Sequence, residues 1–521
     1  MSASLQAASV DFDSDNPFAR SSTCFSQLCQ HLQVDALGMT HSDIERLLQS
    51  EGRDLLRQMF QDHLDLRGVH EQVGRLSAVT GDDGIARPLR RDTSCRLTTL
   101  LGEVHVPRIS YGQRGVQSRF PMDAALNLAP DSFSFGTRHL VALTALASAF
   151  DQTVEQIRSQ TGAPVAKRQA EELTVTAAKD FDTFYGQRTP PDAAQTAGLL
   201  VLSCDGKGVV VRTADLREAT RKAASKRQHK LKTRLVKGEK KYAKRMATVA
   251  TTYTVDAWSR TAEEVIAELT RTGPEDRPKR SRPEHKRVWA SLTKGPEEVI
   301  AEMFDEALRR DPDRKKRWIV LVDGNEKQLE LIQEQARQRG LSVTIVLDFI
   351  HVLQYLWKAA AAFHSEGTPE LEQWVLERLQ WVLEGKAVDV AAGMRRSATR
   401  RELSATERKP VDKCADYLLK YKAYLHYDEY LHDGLPIASG VIEGACRHLV
   451  RDRLDLGGAR WSLTTAEAVL QLRALKSSGD FEAYWKYHEQ QEYQRNHASK
   501  YQGAVPSVGT SSQRPRLRLV P

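Results

Sequence analysis

Two apolar runs in this chain stop at an aspartate. AGLLVLSCDGKG (197–208) ends its hydrophobic stretch at Asp205, and WIVLVDGNEKQ (318–328) ends at Asp323. Short apolar runs bounded by turn residues read as buried strands. Around them the pattern predicts strand 199–204, a tight turn over Asp205-Gly-Lys-Gly, and strand 209–212. Further strands are expected within 248–258, at 318–322 and at 342–347, the last ending at Asp348. Helical spacing covers 263–269, 297–309 and 327–339, the last closed by Gly340. Hairpin strands followed by alternating helix and strand predict an α/β fold with a mixed sheet.

The flanking regions follow other periods. Residues 40–76 space Ile44, Leu47, Leu48, Leu55 and Met59 as a helix does. After the turn signal GDDG (81–84), residues 95–111 alternate around Gly102, with Val104, Val106 and Ile109, and predict a hairpin. Helices are expected at 137–150, 153–160 and 166–184, with a break at TGAP (161–164). That spacing resembles a helix-turn-helix, although Glu171 and Glu172 suit a phosphate-facing surface poorly. QRTPPDAAQTAG (187–198) reads as a linker. From 351 to about 430 every period is helical, and GVIEGACRHLVRDRL (440–454) predicts a helix carrying Glu443. The polar stretches 1–30 and 497–521 are expected to be disordered.

Charge changes this picture more than bulk composition does. Between Arg217 and Arg245 there are 13 Lys/Arg against 2 Asp/Glu. This local +11, set against the chain's +8, leaves the remainder at −3. Lys226, Arg227, Lys230, Lys240 and Lys241 lie in this segment, and RPKRSRPEHKR (277–287) forms a smaller cluster. So concentrated a positive charge favours a polyanion such as nucleic acid; a solvated helix face is the plainer alternative. No apolar run approaches the roughly 20 residues a membrane helix needs, so no membrane partner is expected. The N-terminus lacks the basic and apolar regions of a secretory signal. Cysteines 24, 29, 95, 204, 414 and 446 form no CxxC pair, which predicts free thiols in a reducing cytoplasm.

Asp205, Asp323 and Glu443 are the candidate chemistry. Two aspartates at strand ends and one glutamate on a later helix can converge, and such a cluster needs divalent cations to neutralise it. Each also has a local explanation. Asp205 can serve a D-G turn, Asp323 can cap the helix after it, and Glu443 can pair with Arg447 four residues on. Lys207, Arg447 and Arg451 sit near these carboxylates in sequence and suit phosphate contact. His351 follows Asp348 by three residues and can either bond it or pack on its helix. Trp461 can stack on an unpaired base or fill core.

Four passages, LVLSCDGKGVVV, WIVLVDGNEKQL, VLDFIHVLQYLWKAA and GLPIASGVIEGACRHLVRDRLDLGGARWS, resemble conserved blocks of the ISKra-type insertion-sequence transposases. The resemblance implies an RNase H-like core and a DDE triad falling on Asp205, Asp323 and Glu443. It also implies two Mg²⁺ ions, with Mn²⁺ able to substitute. Asp348 and His351 match an Asp-x-x-His found in related groups. The implied partners are transposon-end and target DNA, and a homodimer or larger assembly during reaction. The implied location is the bacterial cytoplasm, at the nucleoid when DNA is bound. On this plan 31–186 is a DNA-binding region and 199–350 the first part of the core, with a basic insertion at 214–247. Residues 351–435 form an all-α insertion, and 436–496 the second part of the core. A nuclease of the same fold and a non-catalytic DNA-binding regulator are the competing expectations.

Overall fold

The computed structural model describes residues 16–226, 231, 233, 240–272, 280–456 and 458–508. The fold is mixed α/β with a mixed sheet. The chain forms two compact units, 1–180 with 482–521, and 181–481. The division falls at Asp180, ahead of the expected linker, and the return to the first unit after Phe481 has no counterpart in the sequence reading. No described helix is long and apolar enough to cross a membrane.

In the first unit, strands β1 (Val79–Thr80) and β2 (Ala86–Arg87) pair around the GDDG turn. β3 (Leu89–Thr99), β4 (Gly102–Gln113) and β5 (Val116–Arg119) form an antiparallel sheet whose hairpin turns between Thr99 and Gly102, as the alternation predicts. β4 changes parity at Pro107. Val104 and Val106 pack with Leu64, Leu97 and Met122, whereas Ile109 and Tyr111 join Val79, Ala124 and Tyr501. Both faces are therefore partly covered, and each fully buried side chain of this kind contributes about 1.5–3 kcal/mol.

Two terminal expectations change. A helix begins at Ala19 (Ala19–Val34), inside the stretch expected to be disordered. Asp62, buried on helix His41–Val73, anchors it by accepting from the Arg20 guanidinium (2.9 Å) and the Ser21 N–H (3.0 Å). At the other end Ala498–Lys500 is a 3-10 turn, and Tyr501 bridges to Gly81. The helix expected at 166–184 is two helices, Lys167–Ala177 and Phe181–Gln187. It breaks at Asp180, whose buried carboxylate accepts from His488 and Arg495. Helices Phe135–Ala147, Phe150–Thr161 and Lys167–Ala177 pack on one another, with Gly162 left-handed (φ +68°) after the second.

The second unit is built on β6 (Leu199–Val210), β7 (Lys244–Val255), β8 (Glu284–Ser291), β9 (Arg317–Val322) and β10 (Val343–Leu347), in the order β10-β9-β6-β7-β8. β6–β7 and β7–β8 are antiparallel; β6–β9 and β9–β10 are parallel. β6 replaces the expected strand–turn–strand. It runs unbroken through Gly206 and Gly208 because all 12 residues pair with β7. A Cβ on Gly208 would lie 2.9 Å from Lys244 Cδ, so glycine serves close packing here and not a turn. β8 was not anticipated, since its charged start (Glu284–Arg287) hides the apolar end Val288–Ala290.

The basic segment joins β6 to β7. Its described parts are helix Glu218–Ser225 and the turn Lys240–Ala243; Arg227 and Lys230 lie outside the described residues. Between β10 and Gly440 the described regular elements are all helical: Phe349–Ala360, Pro369–Leu383, Ala387–Arg400, Ala405–Lys420, a 3-10 turn at Lys422–Tyr424, and Tyr427–His432.

Candidate metal centre

Asp205 lies within β6, just past Ser203, where the pairing of β6 with β9 ends. The strand therefore leaves the sheet's parallel half as the carboxylate emerges. Asp323 is the residue after β9, and Asp348 the residue after β10. Asp323 and Asp348 thus follow the carboxyl ends of β9 and β10, and Asp205 stands on β6 just beyond its parallel pairing with β9, so all three lie at the edge where ligands gather in open α/β sheets.

The local explanations fail for all three candidates. Asp205 makes no turn. Asp323 does not cap the following helix; Asn325 does, while Asp323 Oδ1 accepts the Asn325 N–H at 2.9 Å. Arg447, the expected partner of Glu443, pairs instead with Asp452 (3.7 Å). The helix expected at 440–454 changes character after Ala445: Gly440–Ala445 is α-helical and Cys446–Arg451 is a π-helical turn. Such turns often mark functional positions. The stripe Ile442, Cys446 and Leu449 is buried, as its spacing suggests, and Glu443 is exposed.

Asp205, Asp323 and Glu443 line one cleft of about 290 Å³, together with Lys207, His351, Ser439, Arg447 and Arg451. Ligand atoms of Asp348, His351 and Glu443 lie within 4.8 Å of one another. Burial raises the Asp323 carboxyl above its ordinary range; the Asn325 N–H opposes this and the neighbouring Asp205 adds to it. Asp205 Oδ2 accepts from the Cys446 thiol at 3.1 Å. Burial and the adjacent carboxylate push that thiol up, so it stays a neutral donor. Oxygen donors with one imidazole fit a hard divalent cation such as Mg²⁺ or Mn²⁺.

Asp348 has a different task from the one weighed for it. It is fully buried, and it caps its helix by accepting the Ile350 N–H (2.9 Å) through Oδ1. Oδ2 accepts from the Ser439 hydroxyl. No hydrogen bond joins it to His351 among the described residues. Because the Ser439 carbonyl accepts from the Glu443 N–H (3.1 Å), Asp348 fastens the Glu443 helix to the end of β10. Three tyrosines brace the same edge. Tyr417 donates to the Asp323 carbonyl (3.0 Å), Tyr421 to that of Gly324 (2.5 Å) and Tyr427 to that of Leu347 (2.7 Å). Ser439, Cys446 and these tyrosines went unrecognised in the sequence; only the Ser-Gly before Glu443 hinted at a role.

Trp461 is not at the cleft. It is buried, its indole donates to the Leu454 carbonyl (3.2 Å), and its backbone continues the β6 edge by pairing with Val211. Lys226 is exposed beyond helix Glu218–Ser225 and does not line the cleft, and Lys240 and Lys241 lie in the turn before β7.

A second group, Asp180, His488 and Glu492 of the first unit, also clusters. Arg495 fills it, pairing with both carboxylates at 2.7 and 2.5 Å. Burial would raise the Asp180 carboxyl, but His488 and Arg495 outweigh it and hold it at about 2. This is an internal ion-pair network and does not fit a metal.

No family model matches this chain, and no curated protein matches it.

Proposed function

We propose that the chain is a DDE-type transposase that cleaves and joins insertion-sequence DNA ends, with Asp205, Asp323 and Glu443 as its catalytic carboxylates. One observation carries the reading: the three residues, drawn from β6, the end of β9 and a helix after Gly440, line a single cleft. The sheet supports it. In chain order the strands lie third, second, first, fourth, fifth, with only the second antiparallel to the others that flank the first, which is the arrangement an RNase H-like core has. The helices of 349–432 then stand as an all-α insertion between the fifth strand and the Glu443 helix.

Asp205, Asp323 and Glu443 would hold two divalent ions, Mg²⁺ or Mn²⁺, which supply Lewis-acid activation of a water or a DNA 3′-hydroxyl. The chain's own residues do the rest. The β6 and β9 backbones fix two carboxylates, and the Asp348–Ser439 contact fixes the third. Lys207, Arg447 and Arg451 at the rim bind flanking phosphates, and the basic segment extends that contact to DNA outside the cleft. Two ends held together require at least two copies of the chain.

Asp205→Asn tests this directly. With Mg²⁺ and DNA carrying the element's ends, cleavage and strand transfer should fall at least a hundredfold while end binding persists. Undiminished cleavage refutes the assignment. Cleavage by the unaltered chain without joining would mark a nuclease, and binding without cleavage a regulator.

A further inference from the structure

Helices Ala19–Val34 and His41–Val73 pack as a hairpin at the start of the first unit. From Ser22 to Gln61 only Ala36 is buried. Helices in proteins owe most of their stability to packing an apolar face, and this stretch packs little of one. Three sides of the longer helix can be told apart. Asp62 accepts from Arg20 and Ser21 of the shorter helix, and Ile44, Leu47 and Leu55, close to whole turns before Asp62, lie half-buried on that side. Arg53 and Arg57, on the opposite side, reach Gly162 and Gly102 of the same unit. Leu48, Gly52, Leu56 and Met59 follow one another along a third side, about one turn apart. A Cβ placed on Gly52 would have nothing within 4 Å, so the middle of this stripe is an open notch.

Leu48, Leu56 and Met59 join Phe25, Val34 and Leu37 as apolar side chains that are 43% to 82% exposed. Of the 19 large hydrophobic residues exposed among the described residues, eight fall between Phe18 and Met59. An apolar surface so concentrated marks a contact with protein or membrane. Charge narrows the choice. Residues 22–60 carry 3 Arg and no Lys against 5 Asp/Glu, leaving −2 in a chain of +8. That balance opposes DNA phosphates and anionic lipid, yet it is small enough for the face to meet itself. Size agrees. The shorter helix has 16 residues, about 24 Å, and a neighbour roughly 8–10 Å away, so the hairpin offers a face of about 500 Å². Two such faces together bury about 1,000 Å², where specific interfaces begin.

We propose that this face of the hairpin docks against the same face of a second copy of the chain, making a four-helix bundle about a two-fold axis. Contacts between identical chains are the more apolar ones, which suits these residues. The notch at Gly52 leaves room for a partner's side chain between Leu48 and Leu56. The surface lies wholly in the first unit and does not depend on the chemistry assigned to Asp205, although it would give the two copies which that reaction requires a place to meet.

Sedimentation equilibrium of the full chain in EDTA, without DNA, tests this apart from any reaction. The chain should be dimeric at micromolar concentration. Leu48→Glu combined with Leu56→Glu places four carboxylates in the shared face and should weaken the dimer at least a hundredfold. Both side chains are exposed, so urea unfolding at a concentration where each protein is monomeric should be unchanged. Val73→Glu, exposed on the same helix but about 21 Å beyond Met59, should leave the dimer intact. A chain that stays monomeric throughout the micromolar range overturns the proposal and leaves the face to a different protein. A dimer that survives the double substitution overturns it as well, because its interface then lies elsewhere, and so does a dimer that Val73→Glu breaks equally. None of these results bears on metal-dependent cleavage, which fails or persists with Asp205→Asn.

Discussion

Removing the Ser439 hydroxyl tests the contact that positions Glu443. Asp348 is completely buried, and its two oxygens are satisfied by the Ile350 N–H and the Ser439 hydroxyl. In Ser439→Ala, Oδ2 of a buried carboxylate loses its partner, which costs roughly 2–3 kcal/mol for a charged acceptor. For a unit of this size that lowers the melting midpoint by roughly 4–8 °C. Urea unfolding followed by tryptophan fluorescence should show an earlier midpoint for the second unit at constant slope. Ser439→Thr keeps the hydroxyl and should fall less than half as far. The informative variant is the double one. Adding Asp348→Asn leaves an orphaned atom that is uncharged, so it should restore about 1 kcal/mol to the Ser439→Ala chain. If Ser439→Ala loses under about 0.5 kcal/mol, or if Asp348→Asn deepens the loss, the contact does not hold the helix as described.

Three other outcomes follow from the geometry. Burial, opposed in part by the Ile109 N–H, raises the Glu71 carboxyl to about 7. Its folded-state value exceeds its unfolded one, so its stabilisation is complete below about 4.5 and lost as pH rises to about 7. Glu71→Gln should therefore stabilise the first unit at pH 8, by on the order of 2–3 kcal/mol, and change little at pH 4; equal effects at both would refute the burial argument. Gly434 has φ +71°, and a Cβ there would lie 2.5 Å from the Trp258 nitrogen, which donates to its carbonyl. Gly434→Ala should cost more than about 2 kcal/mol in denaturant unfolding, where an ordinary surface substitution stays near 0.5. Asp180→Ala strands the buried His488 and the Arg495 guanidinium, and should cost roughly 3–5 kcal/mol by the same measurement.

The parts of this fold that were legible in the sequence are those where one chain segment determines its own state. β9 and β10 are short apolar runs that end at turn residues, and both were readable. The position of Asp323 directly after β9 was readable for the same reason, whereas Asp205, expected at a strand end, lies inside β6. What was not readable depends on a distant partner. Gly206 and Gly208 look like a turn until β7 pairs along all 12 residues of β6. The start of β8 is too charged to announce a strand, and only β7 beside it decides the matter. Asp348 looked like a partner for His351, three positions away, and instead bonds Ser439, 91 positions away. Asp180, where the chain divides, is bonded to residues 488 and 495, far beyond any local window.

The carboxylate cleft draws its members from positions 205, 323 and 443. A ribosome delivers those positions in that order, and the first two cannot pair through β6 and β9 until residue 322 has emerged. The glutamate follows only after the five α-helices between Phe349 and His432. Assembly of the site is thus among the last events in making the second unit, and contacts so distant in sequence form slowly. For a protein proposed to cut DNA, this order of events acts as a safeguard. An incomplete chain, or one that has lost the Glu443 helix, carries two of the three acids and no working centre.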